Sequence, residues 1–389
     1  MPGLCLLPWE YGVRNLFRRP VRSALTLGGL TTVILLVLVV VAFIRGLESS
    51  LASSGGSDVV LVYSLSSGAD IENSSIPGRT PSLIAASLEG IQQRYGVKHL
   101  SPEVYLGTRI GVGGGRVRGL GLVRGVTPVT PLVRTSVQLL DGDWPQPGEV
   151  MVGRLAHSKL GCQRQELAAG NTVTFDGRDW RISGVFSAAG SAFESELWCP
   201  LEDLQGALKR QDLSLVAVKV APGAALADIE LFCSERIDLE LKAMPEAAYY
   251  ASLQKHYRPV RMLGWMMVWL IAGAGVFAGL NTMYGAVVGR VRELSTLQAM
   301  GYRRWAIVLS LIQEATLLSV VAAILASGLA FVAINGTAVR FTMGAFALKV
   351  DSLAVVLGCG TGLALGLVGS LPPAVKAMRM PIANGVKAT

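Results

Sequence analysis

The chain has 389 residues, 51% hydrophobic and 16% charged, with a formal net charge of +8 and a mean hydropathy of +0.48. It is too apolar for an ordinary soluble protein and too polar to lie wholly in a membrane, which implies a few spans plus a sizeable soluble domain. Much of the positive charge stands beside apolar segments and no basic surface is interleaved with aromatics, so no nucleic-acid partner is expected.

Residues 4–19 place Leu6, Trp9, Val13, Leu16 and Phe17 at near-helical spacing among Arg14, Arg18 and Arg19. This predicts an amphipathic interfacial helix within residues 1–22, broken at Pro20. Residues 23–44 are the first of four segments long enough to cross a bilayer; the others are 262–288, 305–334 and 352–371. The first is too long, and follows too much patterned chain, to read as a cleaved signal peptide.

Residues 45–261 read as a soluble domain with helical stalks at both ends. Asp58 to Leu65 is a strand candidate. Thr80-Pro81 opens a predicted helix with Ile84, Leu88, Ile91 and Tyr95 on one face and Gly96 as its end. GVGGGRVRG at Gly111 to Gly119 lacks the Lys-Ser/Thr of a phosphate loop and reads as a hairpin. Residues 138–205 look like a β-rich insertion, in which the Asp176-Gly177 turn sets Val173 across from Trp180. Leu215 to Val220 is a strand and residues 224–237 a helix. The expected fold is four transmembrane helices with a large α+β extracytoplasmic domain between the first two, an α+β subdomain split by a β-rich one.

Residues 289–304, GRVRELSTLQAMGYRR, join the second and third spans. Arg290 and Arg292 stand at one end and Arg303 and Arg304 at the other. Leu294, Leu297 and Met300 recur at helical spacing, and Gly301 is a natural stop. A short helix here suits handing force from a soluble partner to the spans; the plainer reading is a basic loop that fixes topology.

With Arg14, Arg18, Arg19 and Arg22 before the first span and Lys376, Arg379 and Lys387 after the fourth, basic residues put both termini in the cytoplasm. Lys255, Arg258 and Arg261 run against this assignment, but they end a long domain, which the rule does not count. Residues 335–351 are then a short outer loop and 372–389 a cytoplasmic tail.

Gly275 and Gly279 in the second span, and Gly358, Gly362 and Gly366 in the fourth, have the small-xxx-small spacing of close helix packing. Glu314 lies inside the third span. Its expected partner is a cytoplasmic-side arginine or a polar group of the second span such as Asn281.

No catalytic residue stands out. His99, His157 and His256 have no metal-ligand spacing, and Cys5, Cys162, Cys199, Cys233 and Cys359 form no C-x-x-C pair. One disulfide among Cys162, Cys199 and Cys233 stays open, with core packing favoured for Cys233. There is no Walker A sequence and no G-x-S-x-G. The carboxylates of the soluble domain form no recognisable pair and read as solvated.

Three stretches resemble one family. VRNLFRRPVRSALTLGG (Val13 to Gly29), NTMYGAVVGRVRELSTLQAMGYRRWAIVLSLIQEATLL (Asn281 to Leu318) and GLVGSLPPAVKAMRMPIANGVKA (Gly366 to Ala388) are similar to MacB/FtsX/LolC-type ABC transporter permeases. GDWPQPGEVMVGRLAHSKLG and VTFDGRDWRISGVF look like parts of their split periplasmic domain. The resemblance implies a permease that works with a second copy or a sister permease beside a cytoplasmic ATPase dimer. ATP and Mg would be bound by that dimer.

It also implies that Arg292, Glu293, Leu294, Leu297, Ala299, Met300, Gly301, Arg303 and Arg304 form the coupling segment that docks on the ATPase. Gly289-Arg290 departs from the family's usual glutamate-arginine start, and Ser295 stands where glycine is common. MacB carries a fused ATPase, so a separate ATPase subunit is expected here. The implied setting is a bacterial inner membrane, with membrane lipid and a periplasmic adaptor as further partners. The implied function is export or extraction of a hydrophobic or lipid-linked substrate by mechanotransmission. The alternatives are FtsX-like signalling to an extracytoplasmic cell-wall hydrolase, and a membrane scaffold with an inert loop.

Overall fold

A computed structural model describes residues 16–18, 20–68, 70–114, 117–223, 226–341 and 344–379. The helix expected over residues 1–22 falls mostly outside them, as do Cys5 and the tail beyond residue 379. In chain order the main elements are α1 (Pro20–Ser54), β1 (Val59–Ser64), α2 (Thr80–Ser87), β2 (Gln93–Arg94), β3 (Val97–Lys98), β4 (Leu100–Val112), β5 (Val117–Val126) and β6 (Gln138–Gly142). Next come β7 (Glu149–Gly153), β8 (Thr172–Phe175), β9 (Arg178–Ser187), β10 (Leu197–Pro200), α3 (Leu201–Leu208), β11 (Leu215–Lys219), α4 (Leu226–Glu235), β12 (Leu241–Pro245) and α5 (Glu246–His256). The chain closes with α6 (Arg258–Val288), α7 (Val291–Ala299), α8 (Arg304–Ala333), β13 (Ala338–Phe341), β14 (Gly344–Ala347) and α9 (Ser352–Arg379).

The chain divides into two compact units, Met1–Arg45 with Pro259–Asn335 and Leu348–Thr389, and Gly46–Arg258 with Gly336–Ala347. Among the described residues four helices, α1, α6, α8 and α9, are long and apolar enough to cross a membrane. Pro20 opens α1 at a position where its fixed φ and missing N–H cost nothing. The fourth span is expected over residues 352–371, and the helix that contains it, α9, runs on through Pro372 and Pro373 to Arg379. Membrane helices tolerate such prolines when neighbouring groups satisfy the freed carbonyls.

Small residues set the packing of the first unit. A methyl on Gly275 would come within 2.7 Å of Val33, one on Gly358 within 2.8 Å of Leu38, and one on Gly362 within 3.0 Å of Ile34. Gly366 lies against Ser319, whereas a methyl on Gly279 would meet Leu365 O and Gly369 Cα only at ordinary contact distance, 3.9 and 4.0 Å. At Gly275, Gly358, Gly362 and Gly366 the missing side chain lets helices approach more closely.

The second unit is built on one long strand. The first part of β4 pairs with β11, in a sheet ordered β12-β1-β11-β4. The rest of β4 pairs with β5, and the ladder continues through β10, β7 and β9. Strand β8 pairs with both β9 and β4, so the hydrogen-bonding path closes on itself. The β-rich part expected over residues 138–205 therefore also includes β5 and most of β4. Its filling includes Ile110, Val123, Val152, Phe175, Trp180 and Leu197. Asp176 and Gly177 have φ of +49° and +69°, and Val173 stands opposite Trp180.

Two sequence expectations change in this unit. The helix predicted to reach Tyr95 ends at Ser87, because Leu88 turns extended. Tyr95 and Gly96 instead form a left-handed turn between β2 and β3, with Tyr95 92% exposed. The loop expected at residues 335–351 contains the hairpin β13–β14, which belongs to the second unit. Arg340 of β13 donates to the Ser158 carbonyl at 2.6 Å, and Phe341 packs edge-on against Tyr257, 5.1 Å between ring centres.

Candidate functional site

In the first unit the sequence-marked segment is the two-faced helix α7. Leu294 and Ser295 are buried, with Leu297 and Gln298 half-buried beside them. Leu294 and Leu297 join a cluster with Val287, Ile307, Leu311 and Ala374, drawn from α6, α8 and α9. Arg292, Glu293, Thr296, Ala299 and Met300 are exposed, and Met300 leaves 63% of its surface open. Gly301 ends the helix with φ +94°, a conformation glycine adopts without strain. Arg303 and Arg304 follow, exposed. Of the segment named from the sequence, Leu294 and Leu297 thus hold the helix down and the others face outward.

Arg290, at the N-cap of α7, is buried and forks onto Glu314 of α8, with Nη1 donating to Oε2 at 2.9 Å and Nη2 to Oε1 at 3.1 Å. The intramembrane glutamate meets an arginine; Asn281 lies exposed on α6. A bidentate fork is the strong form of this pairing and fixes the relative orientation of two planar groups. Of the two partners expected for Glu314, a cytoplasmic-side arginine or Asn281, the structure brings it the arginine, Arg290.

In the second unit a few carboxylates, Glu103, Glu196 and Glu246 among them, are buried and paired against expectation. Arg124 and Arg134 are each 1% exposed and Glu103 is fully enclosed. Arg124 forks onto Glu196 at 2.7 and 2.6 Å and reaches Glu103 at 2.5 Å. Arg134 forks onto Glu103 at 2.8 and 3.0 Å and also donates to Glu246. Trp198 Nε1 donates to Glu196 at 2.7 Å, and the Phe193 ring lies under both guanidiniums. Burial alone would push the Glu103 carboxyl up, but Arg134 and Arg124 together hold it down at about 2.

This lattice reaches the stalks. Glu246 begins α5, and its Oε2 accepts the backbone N–H of Gly56, just past the end of α1, at 3.0 Å. Ser54, the last residue of α1, accepts the N–H of Ala192 at 2.8 Å. The strand β4 and the outer ends of both stalks are thus joined by charge-assisted hydrogen bonds. The partners are 72 and 112 residues apart in sequence, beyond the reach of any local pattern.

Cys162, Cys199 and Cys233 are free, so the disulfide left open does not form among them. Cys199 and Cys233 are core residues, and burial with Glu230 raises the Cys233 thiol to about 12. Among the described residues no group of His, Cys, Asp and Glu could hold a metal ion.

Four apolar helices, a large domain between the first two and a short two-faced helix between the second and third define a polytopic membrane protein with a large α+β domain. Family comparison matches residues 23–230 to the MacB-like periplasmic core domain and residues 265–382 to the FtsX-like permease C-terminal domain. The chain belongs to the MacB/FtsX family of ABC transporter permeases, whose members partner with ABC ATPases. The second unit is accordingly the extracytoplasmic domain.

Among solved structures, the periplasmic region of MacB from Actinobacillus actinomycetemcomitans is similar at 14% identity and TM-score 0.40, covering 52% of this chain and 94% of that one. The extracellular domain of the noncanonic ABC-type transporter YknZ from Gram-positive bacteria is similar at 12% identity and TM-score 0.36, covering 48% and 99%. No curated protein matches.

Proposed function

We propose that this chain is the permease subunit of an ABC transporter in which a separate cytoplasmic ATPase dimer, carrying ATP and Mg, drives movement of the extracytoplasmic domain. In this reading both termini and α7 lie in the cytoplasm. The permease pairs with a second copy or a sister subunit. The substrate exported or extracted is hydrophobic or lipid-linked.

The observation that carries the reading is the two-faced build of α7. A loop that only fixes topology needs its charges and nothing more. This segment has a buried leucine face on α6, α8 and α9 and a buried arginine fork onto α8, while Met300 stands open among charged residues. An anchored helix that holds Met300 outward with Arg292, Glu293, Arg303 and Arg304 around it offers a partner both apolar and charged contacts. Arg292, Glu293, Ala299, Met300, Gly301, Arg303 and Arg304 would contact the ATPase, and Leu294 and Leu297 would pass its displacement to the spans.

The test is purification of the membrane complex and ATPase assay in nanodiscs, comparing the native chain with Glu293→Arg and Met300→Asp. An ATP-hydrolysing subunit should copurify with the native chain and be lost or uncoupled in both variants. Absence of any ATPase on the native chain in every nucleotide state would overturn the reading.

A further inference from the structure

A cavity of about 230 Å³ opens within the extracytoplasmic unit, beside the ionic lattice. Leu51 of α1, Tyr250 of α5 and Phe346 of β14 form its walls, with Leu122 of β5 and the Arg124–Glu196 fork on another side. Leu51, Tyr250 and Phe346 stand on segments that lie in the chain within or next to the apolar helices, and Leu122, Arg124 and Glu196 do not.

The charges in this lining differ in one respect. Arg124 and Glu196 satisfy one another and are completed by Glu103, Tyr105 and Trp198. Glu72 also lines the cavity, half-buried, and among the described residues its carboxylate has neither a hydrogen bond nor an ion pair. Burial pushes its carboxyl above the usual range, aided by Asp70 and Glu196 and opposed by Arg124 and Lys159. Tyr249, on the same cavity, is also raised, by burial first and then by the charge of Glu72.

An unpaired carboxylate in a partly dry site is unfavourable unless a counter-charge arrives. Here it shares the cavity with tyrosine and phenylalanine rings, whose faces attract cations, and with leucines that would bury an alkyl group. An anionic head would instead face the charge of Glu72, since Glu196 and Arg124 offset one another. The volume has room for about eight groups the size of a water or methylene.

We propose that this cavity binds a small amphiphilic amine, with its ammonium on Glu72 and its apolar part against Leu51, Leu122, Tyr250 and Phe346. The assignment goes beyond the permease reading and does not need it, since binding requires no ATPase.

The test uses the full chain in lipid nanodiscs without ATPase and a photoreactive diazirine octylamine, with the matching octanol and octanoate as controls. Mass spectrometry should show saturable amine labelling of peptides containing Leu122, Tyr250 or Phe346, and at least about tenfold weaker octanoate labelling. Glu72→Gln should lower amine labelling about tenfold and leave octanol labelling unchanged. Leu122→Trp, which fills the cavity, should suppress all labelling there. Non-saturable amine labelling, octanoate labelling equal to that of the amine, or labelling unchanged by Glu72→Gln would each overturn the proposal. Lipid partitioning is common to native and variant chains, so it cannot produce the expected difference.

Discussion

Arg290 and Glu314 meet in a two-pronged fork, at 2.9 and 3.1 Å, that fastens the start of α7 to the middle of α8. Removing one side of the fork takes from the other a two-pronged counter-charge, and breaking a buried pair in this way costs about 3–5 kcal/mol. Arg290→Ala and Glu314→Ala should each lower the melting temperature in nanodiscs. The double variant should recover part of the loss, because both halves of the fork are then absent. Losses that simply add would show that the two groups act separately.

The two faces of α7 should respond differently to substitution. Leu294→Ala removes buried volume and should destabilise by about 2–5 kcal/mol. Met300→Asp changes an exposed position and should shift stability by no more than about 0.5 kcal/mol. Melting curves for the two variants, beside ATPase capture, separate anchoring from docking.

Arg134 holds Glu103 of β4 and Glu246 of α5 at once. Arg134→Met should leave Glu246 without a cation and Glu103 with Arg124 alone, and destabilise the extracytoplasmic unit by about 3–5 kcal/mol. Replacing Glu103 and Glu246 by Gln in the same chain should restore part of that loss. Protease sensitivity of the extracytoplasmic unit in intact nanodiscs reads both effects.

Glu103 and Glu72 predict pH effects of opposite sign. Glu103 is held at about 2, below its ordinary 4.5, so its contribution is present above pH 4.5 and fades as pH falls towards 2. Acid unfolding followed through Trp198 fluorescence should steepen across that window, and Glu103→Gln should flatten it.

Glu72 is raised above 4.5, so the folded state prefers its protonated form and loses stability as pH climbs through the raised value. Glu72→Gln should therefore melt higher than the native chain at pH 7 and equally at pH 4. A lower melting temperature at pH 7 would mean that the carboxylate stabilises the fold.

The spans, the Asp176-Gly177 turn and the leucine spacing of α7 were legible because each depends on residues within a turn or two of one another. The assignment of Leu294 and Leu297 to docking came from position in a motif; only packing against α6, α8 and α9 shows which face of a short helix is free. The helix expected through Tyr95 followed apolar spacing past Leu88, although the Tyr95-Gly96 pair offered a turn signal. The ionic lattice was illegible because Arg124 and Glu196, like Arg134 and Glu246, meet only after the strands are ordered. One local hint existed: Arg124 interrupts the apolar run Leu122, Val123 and Val126, and a charge inside such a strand needs a buried partner.

The ends of the two stalks touch backbone to backbone, since a methyl on Gly55 would sit 2.8 Å from the Ala247 Cα. Everything between those residues hence leaves and re-enters the stalks at a single doorway. A segment whose two ends meet in that way can be replaced by another with closely spaced ends, provided the β13–β14 hairpin, which belongs to the same unit, is exchanged with it. Membrane machinery of this plan is open to recombination: one engine can acquire new extracytoplasmic heads by cassette exchange.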